Sequence, residues 1–297
     1  MKNKLISIVV NCYNGERYLS QTLQSLLNQK YKNFEVIFID NCSTDKSASI
    51  FKKIKDKRFK YFKTKKKIKL YDSRNLALKK TKGNFIAFLD VDDWWDKNFL
   101  SSRKKFFSSN KEYGFSYCNC YHYYENTNKF KTFYKKKLPY GFILSDLLKN
   151  YVVKISTTIL KREIIKSVKF NSSYNIIGDY DLIIKISKQF KGMAFQKKLA
   201  NIRIHKNNFT HNNRKMFYLE YKNWINSQNF KNQSFSENKS LLLQKLEYLR
   251  IIHLLFDKKR FNLIIDIIKF PSFLLKLKLL IIYFLPIFIL KSKYRYF

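Results

Sequence analysis

Asp90, Asp92 and Asp93 put three carboxylates within four residues of the stretch GNFIAFLDVDDWW, Gly83 to Trp95, after an apolar run and before two tryptophans. Hard divalent cations such as Mg2+ or Mn2+ take oxygen ligands and use one or two carboxylates together with substrate phosphates. Asp92 and Asp93 are placed to supply them. The cluster stands out because acids are scarce: the 297-residue chain carries 60 Lys and Arg against 21 Asp and Glu, a formal charge of +39. Such an excess implies an anionic partner, whether nucleic acid, phospholipid headgroups or a phosphorylated substrate. A genome biased toward A/T-rich codons would raise Lys, Asn, Ile, Phe and Tyr together without any function.

The elements that must position these residues are legible in the first hundred positions. Apolar runs alternate with segments of helical period, the pattern of a parallel sheet covered by helices. ISIVV, FEVIFI and FIAFL read as buried strands. Between them GERYLSQTLQSLLNQ sets Tyr18, Leu19, Leu23, Leu26 and Leu27 on one helix face. A second helix is expected after a cap at Ser43 or Thr44, and a third from about Ser73 to a stop at Gly83. The polar loops NCYNG, DNCSTD and DVDD each follow a strand, and in open sheets ligands collect beyond the carboxyl ends of strands. The absence of GKS or GKT in a glycine-rich loop excludes a P-loop. Cys12, Cys42, Cys118 and Cys120 are too unevenly spaced for a disulfide framework or a paired-CxxC zinc site and read as reduced thiols. The apolar start is broken by Asn11 and Asn14, so no signal peptide is expected.

In order and spacing, residues 5 to 100 resemble the front half of a family 2 glycosyltransferase of the GT-A fold, a Rossmann-like, mostly parallel α/β sheet flanked by helices. The segments that carry the resemblance are ISIVVNCYNGERYLSQTLQSLLNQ, IDNCSTD, SRN at Ser73 to Asn75, and DVDD. The resemblance implies Asp92 on the ribose, Asp93 on a divalent metal, Mn2+ or Mg2+, and Tyr13 near the nucleotide base. Val10 and Arg74 complete the nucleotide-binding set, Arg74 meeting ribose or diphosphate through charge-assisted hydrogen bonds. IDNCSTD departs from the family's common VDDGSTD, with Asn41 in place of the aspartate that accepts from uracil; its amide can still accept from the ring N–H and donate to a ring carbonyl. UDP is therefore the expected nucleotide. Asp90 is expected to order the loop.

Residues 101–215 read as the acceptor-facing half, with a strand at YGFSYCNCYHYY and a polar, lysine-rich loop around Asn126 to Lys137. In YNIIGDYDLIIKIS, Gly178 and Asp179 open an amphipathic helix. Sugar transfer to a hydroxyl needs a group to take the hydroxyl proton, for which one carboxylate in reach is adequate. Asp179 matches the family's catalytic aspartate, with Asp181 as a secondary candidate; the resemblance implies inversion at the anomeric carbon. In IRIHKNN, His205 matches a histidine that approaches the metal or diphosphate. Without QxxRW, a single-sugar transfer is expected. Residues 216–297 form a basic helical extension whose apolar piece, Leu279 to Leu290, is shorter than the roughly 20 residues that cross a bilayer and is interrupted by Pro286. With Lys276, Lys278, Lys291 and Lys293 flanking it, this piece is expected to lie on an anionic membrane; a packed helix pair or a homodimer contact is the alternative.

The expected protein is a metal-dependent, inverting glycosyltransferase. It takes a nucleotide-sugar donor and a glycan or lipid-linked acceptor for surface polysaccharide, and acts in the cytoplasm at the inner face of the cell membrane. A basic, aromatic nucleic-acid-binding protein competes on charge and on its 18% aromatic content, but phosphates would be repelled where the acids cluster. An inactive GT-A scaffold has only Asn41 in its support.

Overall fold

In a computed structural model, which describes residues 4–109, 111–256 and 263–285, the three apolar runs are strands: β1 (Ile6–Cys12), β2 (Phe34–Asp40) and β4 (Phe85–Phe88). Nearly every residue of these strands is buried, on both faces, as a sheet covered on two sides demands. β3 (Phe59–Lys63), β5 (Trp94–Trp95), β6 (Tyr113–Tyr124), β7 (Lys129–Thr132), β8 (Ile159–Lys161) and β9 (Lys191–Ile204) complete one nine-stranded sheet. Its order is β3-β2-β1-β4-β8-β6-β9-β5, with β7 beside β6. The pairs β3·β2, β2·β1 and β1·β4 are parallel, whereas β4·β8, β8·β6, β6·β7 and β9·β5 are antiparallel. The parallel character is thus confined to the first half, and β4 is the strand where the two halves join.

Three helices connect the parallel strands: α1 (Glu16–Leu27), α2 (Ser47–Lys52) and α3 (Leu70–Lys80). α1 buries Leu19, Leu23 and Leu26 as its period requires, and adds Thr22 and Ser25; Tyr18 and Leu27 lie at the edges of this face, half-buried. α2 does not use Ser43 or Thr44 as its cap, since its cap position is Lys46. Those residues serve the loop instead: Ser43 Oγ accepts from the Asn14 N–H at 3.1 Å, and the Thr44 N–H donates to Asn14 Oδ1 at 2.9 Å. β3 was not evident from the sequence, because FKYFK is a half-buried edge strand punctuated by lysines, a composition that discourages pairing with other chains. Likewise the lysine-rich loop expected around 126–137 contains β7, which pairs Phe130 with Tyr123 and leaves its lysines in solvent.

The chain divides into two compact units, Met1–Arg203 and Ile204–Phe297. The first holds the sheet and its main core. The second is helical, with Arg214–Asn226, Lys239–Phe256, Leu263–Ile268 and Phe273–Phe284 as its longer elements. Leu279 and Ile282 of the Phe273–Phe284 helix pack with Ile251, Leu255, Leu263, Ile267 and Phe270. Among the described residues no helix is long and apolar enough to cross a membrane. Pro286, Leu290, Lys291 and Lys293, invoked for the tail, lie outside the described residues.

A buried carboxylate ties β1, β2 and the turn before β4 together. Glu35 accepts from Ser7 Oγ and the Lys82 N–H, both at 2.6 Å, and pairs with Lys60 at 2.6 Å. Burial acts to raise its pKa, but the bonds from Lys60, Ser7 and Lys82 outweigh it and hold the carboxyl below its ordinary value. A depressed folded pKa contributes stability that is fully present above the unfolded value, about 4.3, and is lost as pH falls through the folded one. Glu35→Gln is therefore expected to cost about 1–3 kcal/mol at pH 7. In urea melts, its deficit relative to wild type should shrink once the pH drops below about 4.

Candidate active site

The three loops that follow β1, β2 and β4 meet at one sheet edge. Asp45 accepts from the Glu16 N–H and the Ser47 N–H, both at 2.9 Å, while Glu16 accepts from the Lys46 N–H at 2.8 Å. The loop after β4 is fastened from several directions. Thr22 Oγ1 lies 2.7 Å from the Val91 carbonyl and 2.8 Å from that of Asp93. Ser156 accepts from the Asp90 N–H on its hydroxyl at 3.2 Å and from the Trp95 indole N–H on its carbonyl at 2.7 Å.

SRN on α3 links this edge to the second half of the unit. Ser73 Oγ accepts from Asn11 Nδ2 at 2.5 Å, and Asn75 holds the main chain of Phe170 through both its amide groups. Arg74, between them, is only 2% exposed and spans two carboxylates, pairing with Asp90 at 2.5 Å and with Asp179. Burial works against the guanidinium's charge, and Asp179 and Asp90 overcome it, so its pKa is raised. Asp179 stands at the start of the Gly178–Ser187 helix, seated by a close approach: a Cβ on Gly178 would lie 2.5 Å from the Tyr71 ring. Tyr71 donates its hydroxyl proton to the Ile176 carbonyl at 2.7 Å and stacks on Phe170, with centroids 5.5 Å apart.

Other expected site residues fall into different settings. Asp181 is buried and paired with Lys185 at 2.6 Å, on the side of its helix away from Asp179. Asp92 is half-buried, whereas Asp93 is buried and accepts from the Arg203 N–H at 3.0 Å. Val10 is wholly buried within β1. Asn41 is engaged internally: its Nδ2 donates to the Ile68 carbonyl at 2.7 Å and its Oδ1 accepts from the Ile68 N–H at 2.9 Å. The Lys67 ammonium lies 3.7 Å from the centroid of the Tyr13 ring, which is 43% exposed. The two groups expected at the base are thus both touched by consecutive residues of one basic segment. His205 belongs to the second unit; its Nδ1 accepts from the Asn207 N–H at 3.3 Å, which in a neutral ring puts the proton on Nε2.

The crowding of acids has electrostatic consequences. Partial burial raises the Asp90 carboxyl above its ordinary value; Arg74 opposes this, and Asp179 and Asp92 add repulsion. Asp93 is raised well above the usual carboxylate range by burial first, then by Asp92 and Asp90. Carboxylates in this condition carry more negative charge than their surroundings offset, and their oxygens suit a hard divalent cation. No three His, Cys, Asp or Glu side chains form a cage among the described residues. The fit is therefore to a cation held by one or two carboxylates that completes its shell with phosphate and water.

Two residues were not singled out from the sequence. Arg203 donates through Nε to the Asp92 carbonyl at 3.0 Å, bonds Gln21, and stacks its guanidinium 4.6 Å from the Tyr18 ring and 4.8 Å from that of Trp94. It fastens the acidic loop to α1 and β9, and its only signal was its place two residues before His205. Lys154 precedes the turn containing Ser156, with its ammonium 4.8 Å from the Phe133 ring. Burial lowers its pKa, with Cys120, Asp93 and Asp179 acting in the opposite direction.

The mixed sheet flanked by helices, with polar loops beyond the ends of its parallel strands, is that of the GT-A fold. The chain belongs to glycosyltransferase family 2: the family described as Glycosyl transferase family 2 matches residues 7–186. It is similar to the Escherichia coli UDP-Glc:alpha-D-GlcNAc-diphosphoundecaprenol beta-1,3-glucosyltransferase WfaP, 36% identical over 187 residues, which are 62% of this chain and 70% of the relative. Its fold is similar to S. aureus TarS 1-349 in complex with UDP-GlcNAc, with TM-score 0.56 and 18% identity over 84% of this chain and 72% of that one. It is also similar to the mannosyltransferase PcManGT from Pyrobaculum calidifontis in complex with GDP-Man and Mn2+, with TM-score 0.60 and 15% identity over 82% and 71% of the two chains. The chain is a glycosyltransferase.

Arg74→Met should leave two carboxylates facing each other across an apolar gap. The expected cost is at the lower end of about 3–5 kcal/mol, because both acids reach solvent. Arg74→Lys should recover little of it, since one ammonium cannot reproduce a two-pronged contact. Chemical denaturation of the three proteins checks both expectations.

Proposed function

We propose that the protein transfers one sugar from a UDP-sugar to a hydroxyl of a lipid-linked glycan acceptor, with inversion, during surface polysaccharide synthesis at the inner face of the cell membrane. The observation that carries this reading is the Arg74 bridge, in which one guanidinium pairs with Asp90 of the acidic loop and with Asp179. The donor and acceptor classes are supported by the activity of the Escherichia coli relative and by the UDP-GlcNAc complex of the S. aureus neighbour. They are not supported by Asn41, whose amide is engaged with Ile68.

In the proposed reaction the acceptor oxygen attacks the anomeric carbon as the bond from that carbon to the diphosphate oxygen breaks. Asp179 is the general base. Its Oδ1 is held by Arg74, which leaves Oδ2 to receive the hydroxyl proton. Gly178 allows the helix start to press on Tyr71, so the base is oriented by packing as well as by charge. Asp93 would hold the divalent cation, Mn2+ or Mg2+, Asp92 would bind the ribose, and Asp90 orders the loop that carries them. When bound, the cation would supply positive charge to the departing diphosphate. The Lys154 ammonium, within electrostatic reach of Asp93 and Asp179, adds positive charge near the acidic loop. Tyr13 is the aromatic face for the base.

Thermal unfolding with UDP, GDP, CMP and dTDP, each with and without Mn2+, tests the donor class. A ligand at about 100 times its dissociation constant adds roughly 2.7 kcal/mol. UDP is expected to stabilise the wild type only with metal, and Asp93→Asn should abolish the effect. Asp179→Asn should keep UDP stabilisation while transfer falls by about 10²–10⁴-fold. Stabilisation of Asp93→Asn equal to wild type would remove the metal role, and undiminished transfer by Asp179→Asn would remove the base.

A further inference from the structure

The Phe273–Phe284 helix has two apolar faces, and among the described residues only one packs within its unit. Leu279 and Ile282 enter the core of the second unit. Phe273, Leu274, Leu277, Ile281 and Phe284 are exposed, by 74%, 77%, 48%, 49% and 74%. At 3.6 residues per turn these five fall within an arc of about 100°, a continuous stripe. The sequence reading had centred the apolar piece on Leu279 onward; the stripe instead begins at the first residue of the helix, just after the Ser272 side chain that caps it.

The surroundings of the stripe are basic. Lys276 projects to one side of the arc and Lys278 to the other, both partly exposed. On the preceding helix Ile265 and Ile268 are exposed by 52% and 57%, followed by the exposed Lys269. From residue 204 onward the sequence has 17 Lys and Arg against 5 Asp and Glu. A protein partner covering the stripe would have to be apolar at its centre and acidic around it. An anionic bilayer offers both at once, hydrocarbon for the rings and phosphate for the flanking ammonium groups, whose long stems let the charge stay at headgroup level.

We propose that the exposed face of the Phe273–Phe284 helix, with Lys276 and Lys278 beside it, seats in the headgroup and upper acyl region of an anionic membrane, lying in the plane of the surface. This deepens the membrane placement proposed above, but its test reads binding alone and does not depend on transferase activity.

The test is co-sedimentation of the full chain with vesicles of equimolar phosphatidylglycerol and phosphatidylcholine, and with phosphatidylcholine alone. Wild type is expected to sediment with the anionic vesicles and to stay partly bound in high salt, because the apolar contribution is not screened. The variant F273Q/L274Q/F284Q keeps every charge and changes only exposed positions, so it should melt like wild type and bind at least about tenfold more weakly. A second variant, L277Q/I281Q, alters the middle of the same face and guards against a local effect at the helix ends. Equal binding by wild type and both variants, or wild-type binding wholly reversed by salt, would mean that charge alone holds the protein and would overturn the proposal. So would a dimer in sedimentation analysis that both variants break, with no vesicle binding.

Discussion

Everything at the candidate site hangs on one buried cation. Arg74 has almost no contact with water, and its charge is maintained because Asp90 and Asp179 stand on either side. The three residues come from α3, from the end of β4 and from the start of the Gly178–Ser187 helix. The bridge therefore closes the parallel half of the sheet onto the segment that carries the proposed base. Ser73 and Asn75 extend the same link to Asn11 and Phe170. A buried ion pair is not in itself a source of large net stability. Its effect here is positional, since a guanidinium with two prongs in a dry setting admits few arrangements of its partners.

The acidic loop is the counterpart of that bridge. Thr22, Ser156 and Arg203 hold its main chain, so the cost of bringing Asp90, Asp92 and Asp93 together is met by neutral hydrogen bonds and one cation placed behind the loop. Burial first, and then repulsion among the carboxylates, raises Asp90 and Asp93. A site prepared in this way is complementary to positive charge that arrives with a ligand, which is the logic of electrostatic preorganisation.

Much of this was legible in the sequence, for reasons that differ by residue. β1, β2 and β4 are apolar runs buried on both faces, and the period of α1 is regular enough to reveal its buried leucines. Asp90, Asp92 and Asp93 were conspicuous because acids are rare in so basic a chain, and Asp179 because Gly-Asp opens an apolar helix. β3 and β7 were hidden by lysines, which are compatible with an edge strand but erase its alternation. Ser43 and Thr44 have the chemistry of caps, and only the approach of Asn14, thirty or so positions earlier, diverts them to the loop. The engagement of Asn41 with Ile68, and the role of Arg203 behind the acidic loop, depend on main-chain groups distant in sequence. No local pattern encodes such contacts.

The engagement of Asn41 also bears on time. A ligand that takes the Asn41 amide and the face of Tyr13 must first exchange two hydrogen bonds with Ile68 and displace the Lys67 ammonium. The exchange replaces bonds rather than losing them, so its cost at equilibrium is small. Its kinetic effect is larger, because opening of the segment becomes a step that ligand concentration cannot accelerate. Capture of such a ligand would then level off at a ceiling set by how often Ile68 lets go.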